Sequence, residues 1–181
     1  EDTTLYAIWE KLKCQLKFLT KEDEVYSVSY YIYGTVLDSE KIIPGPTVAG
    51  YDFKGWYLDE KRENKFYPNV SITKNIVLYP KYQIQKYGIT FKESSGSIKP
   101  FVVEKTYGEK LEIPSEDKTA WIGHTIKGYF LDKECSYPYD FNRTVTGPFV
   151  IYIKYEIDIH DVQFLDTDGS ELLDTLHVEY G

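Results

Sequence analysis

The chain has 181 residues, room for one or two ordinary domains, and its 42 % hydrophobic and 28 % charged residues support packed cores and exclude a disordered chain. A net charge of −8 argues against nucleic acid, which needs clustered Lys and Arg, and disfavours acidic polysaccharides and anionic lipid on the same ground. No stretch approaches the roughly 18 apolar residues of a membrane span, so no membrane insertion is expected within this segment.

Tyrosine is the unusual component: 18 Tyr, 9 Phe and 3 Trp point to strands and half-buried sheet faces. Met is absent and Glu1-Asp2-Thr3-Thr4 is no signal peptide, so the segment reads as a fragment or processed product whose targeting and anchor signals lie elsewhere.

In chain order, Leu5-Tyr6-Ala7-Ile8-Trp9 reads as a strand closing a preceding unit, with Leu5, Ala7 and Trp9 on its inner face. Leu16-Lys17-Phe18, the polar turn Thr20 to Glu24 and Tyr26 to Ile32 then form a β-hairpin. In its second arm Tyr26, Val28, Tyr30 and Ile32 share one face and the serines take the other. Ile43-Pro44-Gly45-Pro46 breaks regular structure. Strands follow over Tyr51 to Leu58 and Ile76 to Tyr82, with Leu78, Pro80 and Tyr82 facing inward. Pro80 cannot donate to a ladder, so it must sit at an edge or turn its nitrogen to solvent. No helical period exceeds about two turns, which leaves short helical turns near 38–42 or 66–72.

The same series then recurs. Tyr6, Tyr79 and Tyr152 are 73 residues apart, as are Phe18, Phe91 and Phe164. The pairs Tyr33-Gly34, Tyr107-Gly108 and Tyr180-Gly181 follow at 74 and 73, so one loop carries an extra residue. Residues 50–59 and 123–132 agree at five of ten positions, including both glycines. A fixed period of this length is the signature of a repeat array. It divides the chain into the closing strand of a preceding repeat (1–10), complete repeats at 11–83 and 84–156, and the opening hairpin of a further, truncated repeat (157–181). A lone hairpin is marginal in water. The first ten residues could complete that hairpin in a neighbouring molecule, a route to self-association through the truncated terminal repeats.

These landmarks resemble the Listeria–Bacteroides repeat, the B-repeat of internalin-type bacterial surface proteins. The resemblance rests on Gly50-Tyr51-Asp52-Phe53-Lys54-Gly55-Trp56-Tyr57-Leu58-Asp59 and on the closer Leu5-Tyr6-Ala7-Ile8-Trp9. The second copy departs from it at His124, Ile126 and Tyr129, and the family's Asn-Gly-Gly turn is absent from all three hairpins. The family implies a mainly β or α+β architecture of small, tandem, ubiquitin-like β-grasp modules on a secreted or cell-surface protein. It implies no catalytic residues.

Candidate sites are few. His124, His160 and His177 occupy three different repeat positions without companion acids or thiols, and no catalytic set is expected. Cys14 and Cys135 are 121 residues apart, fit no metal spacing and read as lone thiols. Asp166-Thr167-Asp168-Gly169-Ser170-Glu171 looks like a calcium loop, but Glu171 comes too soon after the glycine, which favours a plain hairpin turn. Asn69-Val70-Ser71 and Asn142-Arg143-Thr144 are glycosylation sequons one period apart, read as turn residues in a bacterial protein. No cofactor or metal is expected.

The tyrosines are expected to pack across strands over small cores; the competing reading is a flat platform for sugar rings. The sequence therefore points to a non-catalytic spacer or stalk of an extracellular repeat protein, an elongated rod gaining roughly 30 Å per repeat. The rival is an adhesin module contacting a host protein or glycan through exposed aromatic residues or sheet edges.

Overall fold

The computed structural model describes residues 3–181, which divide into two compact units, residues 3–85 and 86–181. In the first, β1 (Lys13–Leu19) and β2 (Val25–Ile32) form a hairpin, followed by the short β3 (Thr35–Leu37). A single 3-10 turn, Ser39–Lys41, is capped by Asp38, whose carboxylate accepts from the N–H groups of Glu40 and Lys41. Then come β4 (Tyr51–Tyr57), β5 (Val70–Ile72) and β6 (Ile76–Ile84). The sheet order is β2-β1-β6-β4, with β1 and β6 parallel at its centre and antiparallel pairs on either side. β3 and β5 make a small separate ladder. The helical turn considered for 66–72 is not there: Val70, Ser71 and Ile72 pair instead with residues 35–37.

The second unit repeats the plan with β7 (Lys86–Glu93), β8 (Phe101–Thr106), one helical turn α1 (Glu116–Thr119), β9 (His124–Phe130) and β10 (Phe149–Ile157), in the order β8-β7-β10-β9. Its counterpart of the β3–β5 ladder is reduced to a bridge between Lys110 and Thr144. A further hairpin, β11 (Ile159–Leu165) and β12 (Leu172–Glu179), ends the chain. The fold is thus mainly β, in small sheets.

The 73-residue period is also a period of burial. Leu16, Phe18, Phe66, Ile72 and Leu78 in the first core are matched by Ile89, Phe91, Tyr139, Val145 and Ile151 in the second. Trp56 anchors the first core, edge-on to Phe18 and Phe53, with Nε1 donating to the Ile43 carbonyl at 2.8 Å. The loop after each aromatic strand is closed alike: Asp59 accepts from the N–H groups of Glu63 and Asn64, and Asp132 from those of Ser136 and Tyr137. Tyr82 donates to the Pro46 carbonyl and Tyr155 to that of Thr119, both at 2.5 Å.

The expected closing strand needs correction. Of the closing strand expected at residues 1–10, the first two residues lie outside the described ones, and residues 3–10 form no strand. Leu5 and Trp9 are 90 % and 89 % exposed. Their equivalents on β6 lie between an opening strand and an aromatic strand, and the described residues offer residues 3–10 neither neighbour. On β2 the expected split of faces holds: Tyr26, Val28, Tyr30 and Ile32 share a face, and it is the exposed one. Ser27, Ser29 and Tyr31 lie opposite Phe18, Leu16 and Cys14, all buried. Small serines leave the core face free for the larger side chains of β1.

The proline paradox has a geometric answer. β6 pairs with β1 only from Ile76 to Leu78, and with β4 only from Tyr79 onward. Pro80 therefore lies beyond the end of the β1 ladder, where no N–H is needed. Its carbonyl, on that same side, accepts from Arg62 Nε at 3.0 Å. Arg62 also donates to the Glu60 carbonyl and to Asp23 in the β1–β2 turn.

Candidate functional site

The groups from which an active site would be built are scattered among local tasks. His124 stacks on Trp121 with ring centroids 3.7 Å apart, and its Nδ1 lies 3.1 Å from the Ile122 carbonyl. His177 Nδ1 lies 2.5 Å from Asp161, its cross-strand neighbour on the last hairpin, and His160 tilts against Tyr180. Cys14 and Cys135 are free thiols, Cys14 being buried in the first core. Among the described residues no group of three His, Cys, Asp or Glu is placed to hold a metal ion.

The loop at Asp166 uses its oxygens internally. Asp166 accepts from the N–H groups of Ser170 and Glu171 and from the Ser170 hydroxyl, and Gly169 supplies a φ of 76°. The hydrogen bond from Glu171, followed by those from its other neighbours, holds the Asp166 carboxyl below its ordinary value.

One period earlier stands Glu93, and one before that Thr20. Thr20 Oγ1 accepts from the N–H groups of Glu22 and Glu24. Glu93, only 7 % exposed, accepts from the N–H groups of Ser95 and Ser97 and from the hydroxyls of Ser94 and Ser95. Burial alone would push the Glu93 carboxyl up; the hydrogen bonds from Ser95, Ser97 and Ser94 outweigh it and hold the group at about 2. The three hairpins thus share a side-chain acceptor at one repeat position, and it orders turns that lack an Asn-Gly-Gly sequence.

The sequon asparagines lie at irregular positions: Asn69 has a φ of 69° and donates its N–H to the Leu37 carbonyl, while the Asn142 N–H is held by Asp140.

The repeat boundaries are tied down alike. Gln85, the single residue after β6, donates its N–H to the Gly50 carbonyl and its side-chain amide to Asp52 at 2.7 Å. Asp158, between β10 and β11, donates its N–H to the Gly123 carbonyl and accepts from Thr125 Oγ1 at 2.6 Å. Gln85 and Asp158 are one period apart, as are Asp52 and Thr125, so donor and acceptor have changed places. Asp158 also accepts from the N–H of Tyr180, whose ring fills the space a side chain at Gly123 would need.

A concavity lies at the N-terminal half of β6. Here β4 has ended at Tyr57 and the chain turns away, leaving a groove of about 530 Å³ against Ile76 and Val77. Phe66, Leu58 and Val70 give it an apolar floor, Tyr67 lines it, and Lys65 and Lys74 supply positive charge. The Lys65 stem crosses Gly55, where an added Cβ would come within 2.9 Å of its Cε. A smaller groove of about 150 Å³ occupies the equivalent place in the second unit, lined by Leu131, Tyr139, Arg143, Thr144 and Phe149. Among the described residues no Asp or Glu lines either groove. The sequence reading missed this site, because it exists only where two strands part.

Comparison with known proteins places these observations in a family. The model of the Listeria–Bacteroides repeat domain matches residues 17–81 and 87–154. A protein of Evansella cellulosilytica described as a Gly-rich membrane protein is 32 % identical over 174 residues, which is 95 % of this chain and 19 % of that protein. Another from the same organism, described as a membrane protein, is 32 % identical over 98 % of this chain and 26 % of its own length. The chain spans about a fifth to a quarter of the length of these curated relatives. No helix among the described residues is long and apolar enough to cross a membrane. With two matched repeats that coincide with two equivalent cores and two equivalent boundary clasps, the chain belongs to the Listeria–Bacteroides repeat family.

Proposed function

We propose that this segment is a non-catalytic spacer within a cell-surface or secreted bacterial repeat protein, holding other domains away from the surface. The observation that carries the reading is the one-residue boundary at Asp158, bonded to β9 on one side and to Tyr180 on the other. A connection this short and this bonded restricts the angle between neighbouring repeats, as a stalk requires. The mixed β2-β1-β6-β4 order, with its parallel central pair, supports a β-grasp relationship for each repeat. The membrane-protein descriptions of the relatives support a location at the cell envelope.

The adhesin reading draws less support from the exposed aromatic face. Tyr30 on the outer face of β2 is replaced by Glu104 one repeat later, so the stripe does not recur. Small-angle scattering of the 181-residue chain tests the spacer reading. An elongated, stiff particle is expected, and a compact or freely jointed one would overturn it.

A further inference from the structure

We propose that the groove beside Val77 in the first unit binds an extended, acidic peptide segment of a partner protein. The argument is independent of the spacer reading and starts from the backbone. Along a strand, successive residues point their N–H and C=O groups to opposite edges. The Gln15 N–H, donated to the Asn75 side chain, marks the edge of β1 that faces β6. Lys17, two residues on, therefore bonds to Ile76 and Leu78 across the parallel ladder. Val77, between them, directs its N–H and C=O the other way, towards β4. But β4 makes its last pair with β6 at Tyr57–Tyr79 and then departs. Among the described residues Val77 thus presents to the groove a main-chain donor and acceptor with no strand partner, an opening for strand addition.

The walls select the chemistry of the incoming strand. Phe66, Leu58 and Val70 offer an apolar floor for one side chain of an alternating sequence. Lys65 and Lys74, both exposed and in no ion pair among the described residues, flank it with positive charge. In a chain of net charge −8, an acid-free groove with two lysines stands out as a local reversal of sign that favours carboxylate side chains. A peptide fits better than a sugar, because the floor is apolar and no carboxylate is available to accept sugar hydroxyls. The second unit serves as an internal control. At the positions of Lys65 and Lys74 it has Pro138 and Gly147, and its groove is less than a third of the volume.

The test is titration of the isotopically labelled 181-residue chain with an acetylated, amidated heptapeptide of alternating Glu and Val. A Lys–Val heptapeptide and polygalacturonate are run in parallel, with amide NMR as the readout. The expected result is a saturable shift of the Val77 amide with the Glu–Val peptide alone, weakened by added salt. In the double variant K65E/K74E, whose changes are at exposed positions, affinity should fall at least tenfold, and in R143E it should not change. The proposal is overturned if Val77 does not respond, if the Lys–Val peptide acts equally well, if polygalacturonate produces the shift instead, or if K65E/K74E binds as tightly as the parent.

Discussion

Arg62 Nε donates to the carbonyl of Pro80, 18 residues away, across 3.0 Å, and so occupies the side of β6 that β1 has vacated. The arrangement reconciles a proline with a strand at the centre of a sheet. Arg62 has a φ of 57° and Cys135, one period later, has 56°, so the left-handed position belongs to the repeated loop that Asp59 and Asp132 close.

Replacing Arg62 by Ala should therefore destabilise the first unit by about 1–2 kcal/mol, since the Pro80 and Glu60 carbonyls lose a charged donor. Replacing Asp23 by Asn, which also tolerates its φ of 63°, should change stability by less than about 0.5 kcal/mol, because that ion pair is largely solvated. Urea denaturation of the two variants, followed by tryptophan fluorescence, separates the roles. Equal losses would show that the ion pair, not the carbonyl clamp, is what matters.

Glu93 should make the second unit acid-sensitive. Its carboxyl is depressed on folding from an ordinary 4.5 to about 2. The associated stability is complete above pH 4.5 and is lost as pH falls from there towards 2. Glu93→Gln should therefore be less stable than the parent at neutral pH, by on the order of 2 kcal/mol, and the gap should close across that acid window. Thermal melts at stepped pH check this. A gap that stays constant down to pH 2 would remove the carboxylate from the account.

Tyr82→Phe and Tyr155→Phe are expected to behave alike, each costing its own unit about 1 kcal/mol, because each strips a carbonyl in a part-buried hydrogen bond of its donor while keeping the ring. Differential scanning calorimetry of both variants would expose any difference between the copies.

The β11–β12 hairpin should exchange its amide hydrogens fastest among the strands. Phe164 is 48 % exposed, whereas its equivalents Phe18 and Phe91 are fully buried, so little apolar burial opposes local opening. Exchange mass spectrometry should find protection concentrated in β1, β6, β7 and β10; equal protection in β11 would contradict this ranking.

Much of the architecture was legible because it lies in periodicity. Tyr79–Tyr152 and Phe18–Phe91 mark strands whose neighbours recur at the same spacing, whereas Pro80, expected at an edge or with its nitrogen in solvent, is buried in a central strand beyond the end of the β1 ladder. What was not legible depends on side choice or on strand ends. Alternation in β2 separates two faces, but only the pairing of Ser27 and Ser29 with Phe18 and Leu16 decides which is covered. The turn acceptor is Thr20, then Glu93, then Asp166, three chemistries with one role, and identity-based matching passes over it. The groove escapes for a further reason: Lys65, Lys74 and Val77 look unrelated until β4 leaves β6.

The exchanged partners at the repeat boundaries limit how such a gene can rearrange. Homologous recombination between the two copies, with a breakpoint after residue 52 and before residue 85 or its equivalent, would produce one hybrid carrying Asp52 opposite Asp158, two carboxylates where each parent has one. The reciprocal hybrid would pair Thr125 with Gln85, without that repulsion. Loss or gain of whole repeats is thereby directional: one crossover product inherits a neutral clasp, and the other inherits a clasp that repels itself.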